Sequence, residues 1–217
     1  LEANKLKKLV TLLLAMSMVV TLGAATLAKT MGVNVAEGYS VSLERPDFDV
    51  DSYKLTGNFG VSDDILVWMA YETEDSDNYK DGTTSLGLRY EFMENVAGIF
   101  EYETCDNYNQ FAIGARGKYA LSDPLALVGE AKYLNRDPDG GDSYGGFNLK
   151  GQAEYVFSQM VTGNAGIEYN KMEDYDSTTT YLAGLEFHPT EQVSCWVDYK
   201  NVKDGDDSLG AGIGFKF

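Results

Sequence analysis

Cysteine, histidine and proline are scarce in this sequence, and acids outnumber bases two to one. Two Cys in 217 residues cannot build a disulfide framework. One His leaves little room for a His-ligated metal site or His-dependent chemistry. With 17 Lys and Arg against 34 Asp and Glu, the net charge is −17, which argues against nucleic acid as a partner, since a phosphate binder needs a basic surface. Past the N-terminal region no apolar run is long enough for a transmembrane helix. What the chain does have is 44% hydrophobic residues, 23 Gly and 15 Tyr, a composition that suits one domain and not a disordered or fibrous chain.

Residues 1–28 read as a secretory signal peptide. Lys5, Lys7 and Lys8 precede an apolar run from Leu9 to Val20, and Gly23, Ala24, Ala25, Thr26, Leu27 and Ala28 supply small residues for cleavage after Ala28 or Ala25. A membrane anchor is the alternative. Cleavage after Ala28 removes Glu2 and the three Lys, leaving 14 bases and 33 acids at −19. The mature chain, 29–217, is then a single domain.

Its dominant period is two. From Ser85, Leu86, Leu88, Tyr90 and Phe92 share one face while Ser85, Gly87, Arg89 and Glu91 share the other. The same alternation runs over 53–61, 65–73, 96–104, 111–121, 125–134, 147–157, 161–170, 181–188, 193–202 and 209–217, with a weaker segment at 33–43. Twelve candidate strands result, each near the length that crosses a bilayer at a tilt.

A soluble sandwich also alternates, so the placement of charge has to discriminate. The polar face carries Lys54, Glu72, Arg89, Glu91, Glu101, Glu103, Arg116, Lys118, Glu130, Lys132, Lys150, Glu154, Glu168, Glu186, Asp198, Lys200 and Lys216, and only Glu37 falls on the apolar face. Gly and Ala share that apolar face with Tyr, Phe, Leu and Val, in segments longer than most soluble strands. This favours apolar side chains toward lipid and polar ones toward a lumen. Five short connections, at 62–64, 93–95, 122–124, 158–160 and 189–191, alternate with six longer acidic ones, the periplasmic and extracellular sides of such a barrel. Aromatic pairs span the short turns: Phe59 with Tyr71, Tyr90 with Tyr102, Tyr119 with Tyr133, Tyr155 with Tyr169, and Phe187 with Tyr199. Their even spacing keeps each pair on one face, where rings would sit near the two lipid–water interfaces.

On these residues the sequence resembles the Gram-negative outer-membrane β-barrels, porin-like in the broad sense. The terminal LGAGIGFKF adds to the likeness, with Ala211, Ile213, Phe215 and Phe217 on one face. The resemblance implies an all-β, transmembrane, antiparallel up-and-down barrel of about 12 strands. It also implies that Phe215 and Phe217 belong to the signal read by the barrel-assembly machinery, and that the wall meets outer-membrane lipid and lipopolysaccharide. Small oligosaccharide channels of this kind have strongly basic lumens. This lumen is mixed, with nine acids and eight bases, whereas the longer connections hold 18 acids and 5 bases.

An acidic mouth above a nearly neutral lumen concentrates cations. The leading reading is therefore a narrow porin-like channel for passive diffusion of small solutes, weakly cation-selective. The alternative is a non-conducting surface barrel whose acidic loops, such as those at Asp137 and Asp204, recognise a partner or a divalent cation, although neither matches a calcium loop with its closing Glu. An enzyme is disfavoured, because His188 sits at a short periplasmic turn and Cys105 and Cys195 have no His partner. No catalytic residues, cofactor or resident metal are expected. Gly210, Gly212 and Gly214 lie in a strand without a following helix, which excludes a dinucleotide loop and leaves room for a neighbouring side chain or the N-terminal segment. Residues 29–37 either complete the first strand or enter the lumen. The solute and the oligomeric state stay open.

Overall fold

The computed structural model describes residues 38–49, 51–76 and 79–217. The stretch 1–28 read as a signal peptide, Lys29, Glu37 and the strand-or-plug alternative at 29–37 lie outside them. Twelve antiparallel strands follow in sequence order: β1 (Gly38–Arg45), β2 (Asp51–Ser62), β3 (Ile65–Ser76), β4 (Tyr79–Met93), β5 (Val96–Thr104), β6 (Tyr108–Ser122), β7 (Leu125–Pro138), β8 (Tyr144–Ser158), β9 (Val161–Met172), β10 (Thr178–Phe187), β11 (Val193–Val202) and β12 (Asp207–Lys216). Each pairs with its neighbours in the chain. β1 closes the ring against β12, with Val41 opposite Phe215 and Leu43 opposite Ile213. Closure leaves no strand edge unpaired, the condition for placing a sheet in hydrocarbon.

Alternation sets which way each strand faces. Directly opposed residues share a face, so the register carries Tyr71, Leu86 and Tyr102 outward together while Glu72, Arg89 and Glu101 stay inward. Outward apolar groups are open to the surroundings, with Ile113, Leu185 and Tyr119 exposed by 57, 58 and 68%. Such a belt around a whole molecule is at home in lipid and not in water. Inward, a small apolar floor of Ala97, Ile99, Ala112, Val128 and Leu134 is buried on β5, β6 and β7.

Tight turns are built from the residues their geometry needs. Ser62 and Ser158 accept hydrogen bonds through their hydroxyls from the amides of Asp64 and Met160, and Asn95 adopts a positive φ of 65°. Bulges lie just before four of these turns, between 60 and 62, 91 and 93, 120 and 122, and 156 and 158. Neighbouring turns are also joined: the amides of Glu91, Lys118, Val156 and His188 donate to the carbonyls of Asp64, Asn95, Pro124 and Met160, and Phe217 donates to Tyr39. At the other end the strands run further than the alternation indicates. β4 begins at Tyr79 and β8 at Tyr144, so part of each acidic segment is paired sheet. Glu44, expected in a connection, lies in β1 opposite Lys54 and Gly212.

The inner wall as candidate functional site

The inner wall carries the charged side chains singled out by alternation, and the register arranges them in rows. Arg116, Glu130, Lys150 and Glu168 are successive direct partners across β6, β7, β8 and β9, so the sign alternates at every strand. Opposite charges on facing strands attract, and like charges there would repel. Glu130 accepts both Arg116 at 3.4 Å and Lys132 at 2.9 Å. Lys132 also reaches Glu101 on β5 at 3.0 Å, passing over β6. That crossing depends on Gly114, whose Cβ would sit 2.8 Å from the Lys132 Cγ. Lys118 likewise crosses β7 to Glu154 at 2.7 Å, and Lys54 pairs with Glu72 at 3.1 Å. Each of these pairs stays within three consecutive strands, so the side chains lie along the wall over their apolar floor.

The remaining inward residues serve smaller clusters. Glu168 accepts from the Asn148 amide at 2.7 Å, and Glu91 caps its own turn by accepting from the Asn95 amide at 3.1 Å. Glu186, buried, lies 3.7 Å from the His188 Nε2 at the turn end of the barrel. Asp198 lies over Gly184 beside Asn164. Lys200, an exposed inward residue, pairs in register with Leu182 and Ser208. Arg89 faces inward between Leu66 and Ile99. Among the described residues no group of three His, Cys, Asp or Glu converges as a metal site.

At the end opposite the tight turns, Arg136 stacks 4.0 Å over the Tyr108 ring and donates to Gln110, while Tyr108 donates to Glu103 at 2.6 Å. Tyr175, in the 173–177 turn, packs on Tyr144 at 5.1 Å, and their hydrogen bond pushes the Tyr175 hydroxyl above its ordinary titration range. Lys171 donates to the Tyr175 carbonyl.

Two inward residues escaped the charge-based reading, Trp68 and Trp196. They occupy polar-face positions, and each stands directly opposite a glycine, Gly87 or Gly212. The indole covers that glycine so closely that a Cβ there would come within 2.1 Å of Trp68 or 2.2 Å of Trp196. The neighbouring side chain expected over the glycine row is thus Trp196 at Gly212 and, with Ser194, at Gly214, whereas Gly210 meets the backbone of Arg45 and Pro46. A Trp directly opposite a Gly on the polar face is the signal that would have found both.

Cys105 and Cys195 are free thiols. Phe215 stands outward between Val41 and Val193, and Phe217 follows β12.

No family model matches the chain, and no curated protein matches it. Solved structures do. The KdgM porin in complex with disordered oligogalacturonate is similar at a TM-score of 0.69 and 17% identity, covering 83% of this chain and 99% of that one. The NanC porin matches at 0.65 and 13%, covering 82% and 100%. An outer membrane channel from Pseudomonas putida matches at 0.62 and 12%, covering 88% and 100%. Closed topology, an apolar exterior, a charged interior and these likenesses agree that the chain has the fold of the outer-membrane porins.

Proposed function

We propose that the protein is an outer-membrane channel for passive diffusion of small solutes, with a narrow lumen and a weak preference for cations. The observation that carries this reading is the sorting of charge. Ion pairs balance the inner wall, whereas Asp139, Asp142, Asp204 and Asp206 stand exposed at the end away from the tight turns. A neutral, polar passage lets ions and small solutes enter without a deep electrostatic trap, and an acidic rim raises the local cation concentration. Twelve strands give a width between a filled eight-stranded barrel and a sixteen-stranded porin, and the ring of charged side chains narrows it. Lys54, Glu72, Arg89, Glu101, Arg116, Lys118, Glu130, Lys132, Lys150, Glu154, Glu168, Asp198 and Lys200 line the passage in this reading. A cleaved leader directs export, and Phe215 and Phe217 serve recognition by the assembly machinery.

Recording from the refolded barrel in planar bilayers tests the proposal. Discrete conductance steps with a reversal potential favouring K⁺ over Cl⁻ at low salt are expected. Silence over long recordings would leave a non-conducting surface barrel, and anion preference would remove the acidic-rim mechanism.

A further inference from the structure

Arg116, Lys118, Lys132 and Lys54 each lie within 3.4 Å of a carboxylate on the inner wall. Lys150 is different. Its direct partners on β7 and β9 are Glu130 and Glu168, so an acid stands on either side of it. Yet Glu130 is already held by Arg116 and Lys132, Glu168 accepts from Asn148, and among the described residues Lys150 forms no ion pair. Its ammonium acts electrostatically on Glu130 beside it and on Asp198 of β11, three strands away.

The register accounts for that reach. On the inner face Lys118 meets Glu154, and Lys132 meets Glu101, by crossing one strand and landing two residues beyond the position directly in line. Strand tilt sets this diagonal. A diagonal of the same sense from Lys150 passes over Gly166 on β9 and Gly184 on β10 to Asp198, the direct partner of Gly184. Neither glycine raises a side chain in the gap, and the Asp198 carboxylate lies over Gly184, next to Asn164. Asp198 also forms no ion pair among the described residues. The nearest ammonium on its own strand, Lys200, is shared with Glu44. Around Glu44 the three carboxylates Glu44, Glu72 and Asp198 thus have two ammoniums, Lys54 and Lys200, and Lys150 adds a third from β8. Charges in contact cancel within a few ångströms, whereas charges held apart keep a field in the water between them. We infer that Lys150 and Asp198, facing each other over Gly166 and Gly184, set the ion preference of the lumen itself. Lys150 opposes cations and Asp198 opposes anions, so the balance stays weak. The inference deepens the channel reading and rests on it.

Reversal potentials in planar bilayers, under a KCl gradient with a mean concentration of about 0.1 M, give the test. Lys150→Gln leaves Asp198 without its facing charge, so the permeability ratio of K⁺ to Cl⁻ is expected to rise roughly two- to fivefold, the effect of one unit charge across about 8 Å of dilute electrolyte. Asp198→Asn should lower the ratio by a similar factor. Lys150→Gln/Asp198→Asn should return it close to the parent value, and Lys150→Arg, which keeps the charge, should leave it there. The acidic rim is common to every variant, so these differences belong to the lumen. Neither residue is in an ion pair, so replacing it breaks none, and heat-modifiable gel migration identifies the folded barrel in each case. The two single variants shift the ratio in opposite directions, so either one decides the matter if the other fails to fold. A conducting parent whose single variants leave the ratio unchanged, or move it the same way, overturns the pair and spares the channel reading. An equal shift in Lys150→Arg and Lys150→Gln also overturns it, since shape and not charge would then be responsible. A parent that never conducts overturns the channel reading and the pair with it.

Discussion

Glycines on this barrel separate into two kinds by what lies above them. At Gly114 a Cβ would stand 2.1 Å from the Ala131 carbonyl oxygen, part of the neighbouring strand's backbone, which cannot step aside. At Gly129 and Gly151, both outward, nothing lies within 4 Å. Gly114→Ala is therefore expected to destabilise the barrel by about 1–3 kcal/mol, since it overpacks a close approach and lifts Lys132 from its path to Glu101. Gly129→Ala and Gly151→Ala should be neutral or gain about 0.4–1 kcal/mol by restricting the unfolded chain. Urea titration of the barrel folded into vesicles measures both, and equal losses at all three sites would remove the close-approach argument. Glu130 offers a second test. Its side chain is 10% exposed and holds Arg116 and Lys132 together, so Glu130→Gln leaves two neighbouring cations without their shared counter-charge. A loss of about 1–3 kcal/mol is expected. In Glu130→Gln/Lys132→Gln, where one of those cations is also gone, the loss should fall short of the sum of the two single losses.

Across a hairpin, the tyrosines spaced along the chain acquire a common contact at the end away from the tight turns. Tyr71 covers Gly82 and Tyr133 covers Gly145, in each case the outward residue two positions beyond the direct partner. Tyr102 and Tyr199 reach the equivalent place on the next strand and donate to Asn109 at 2.9 Å and Asp207 at 3.1 Å. Tilted strands bring that diagonal neighbour under a long side chain, so the ring bridges the hairpin just where its two strands leave the apolar belt. Tyr102→Phe keeps the ring and drops the bond to Asn109, for an expected cost of about 0.5–1.5 kcal/mol. A control at Tyr119, the most exposed of these rings, should cost less on the same substitution. Much of this scale was legible beforehand: alternation located all twelve strands, and the even spacing of Phe59 and Tyr71 or Tyr155 and Tyr169 placed rings on one face. The diagonal bridges were not, because they depend on register and tilt, which period-two patterning leaves free. Strand length suffered similarly. The stretch from Tyr79 to Thr84 is rich in polar residues, and outside the apolar belt an outward residue has no reason to be apolar, so the pattern fades while the hydrogen-bonded ladder continues. Trp68 and Trp196 were passed over because a search for charge on the polar face has no use for an aromatic there.

For the whole molecule, the question is how far charge at one end can act on ions entering the lumen. The inner wall is close to neutral, and Lys54, Glu72, Glu101, Arg116, Lys118, Glu130, Lys132 and Glu154 are paired there at 2.7 to 3.4 Å, so the field of these groups is short-ranged and changes little with salt. The rim is different, because Asp139, Asp142, Asp204 and Asp206 stand in solvent. Screening acts over about 10 Å at 0.1 M salt and about 3 Å at 1 M, so the rim field reaches across the mouth in dilute electrolyte and collapses to each carboxylate in concentrated electrolyte. Cation preference should accordingly be largest at low salt and largely disappear near 1 M. Replacing Asp139, Asp142, Asp204 and Asp206 together by Asn should reproduce the high-salt behaviour at low salt. Asn is the suitable replacement because Asp204 holds a φ of 61°, which Asn tolerates. Reversal potentials in a tenfold salt gradient, taken at two mean concentrations, give the comparison. If the four Asn leave selectivity at low salt unchanged, the preference belongs to the inner wall, and Glu44, Glu72 and Asp198 become the residues to neutralise next.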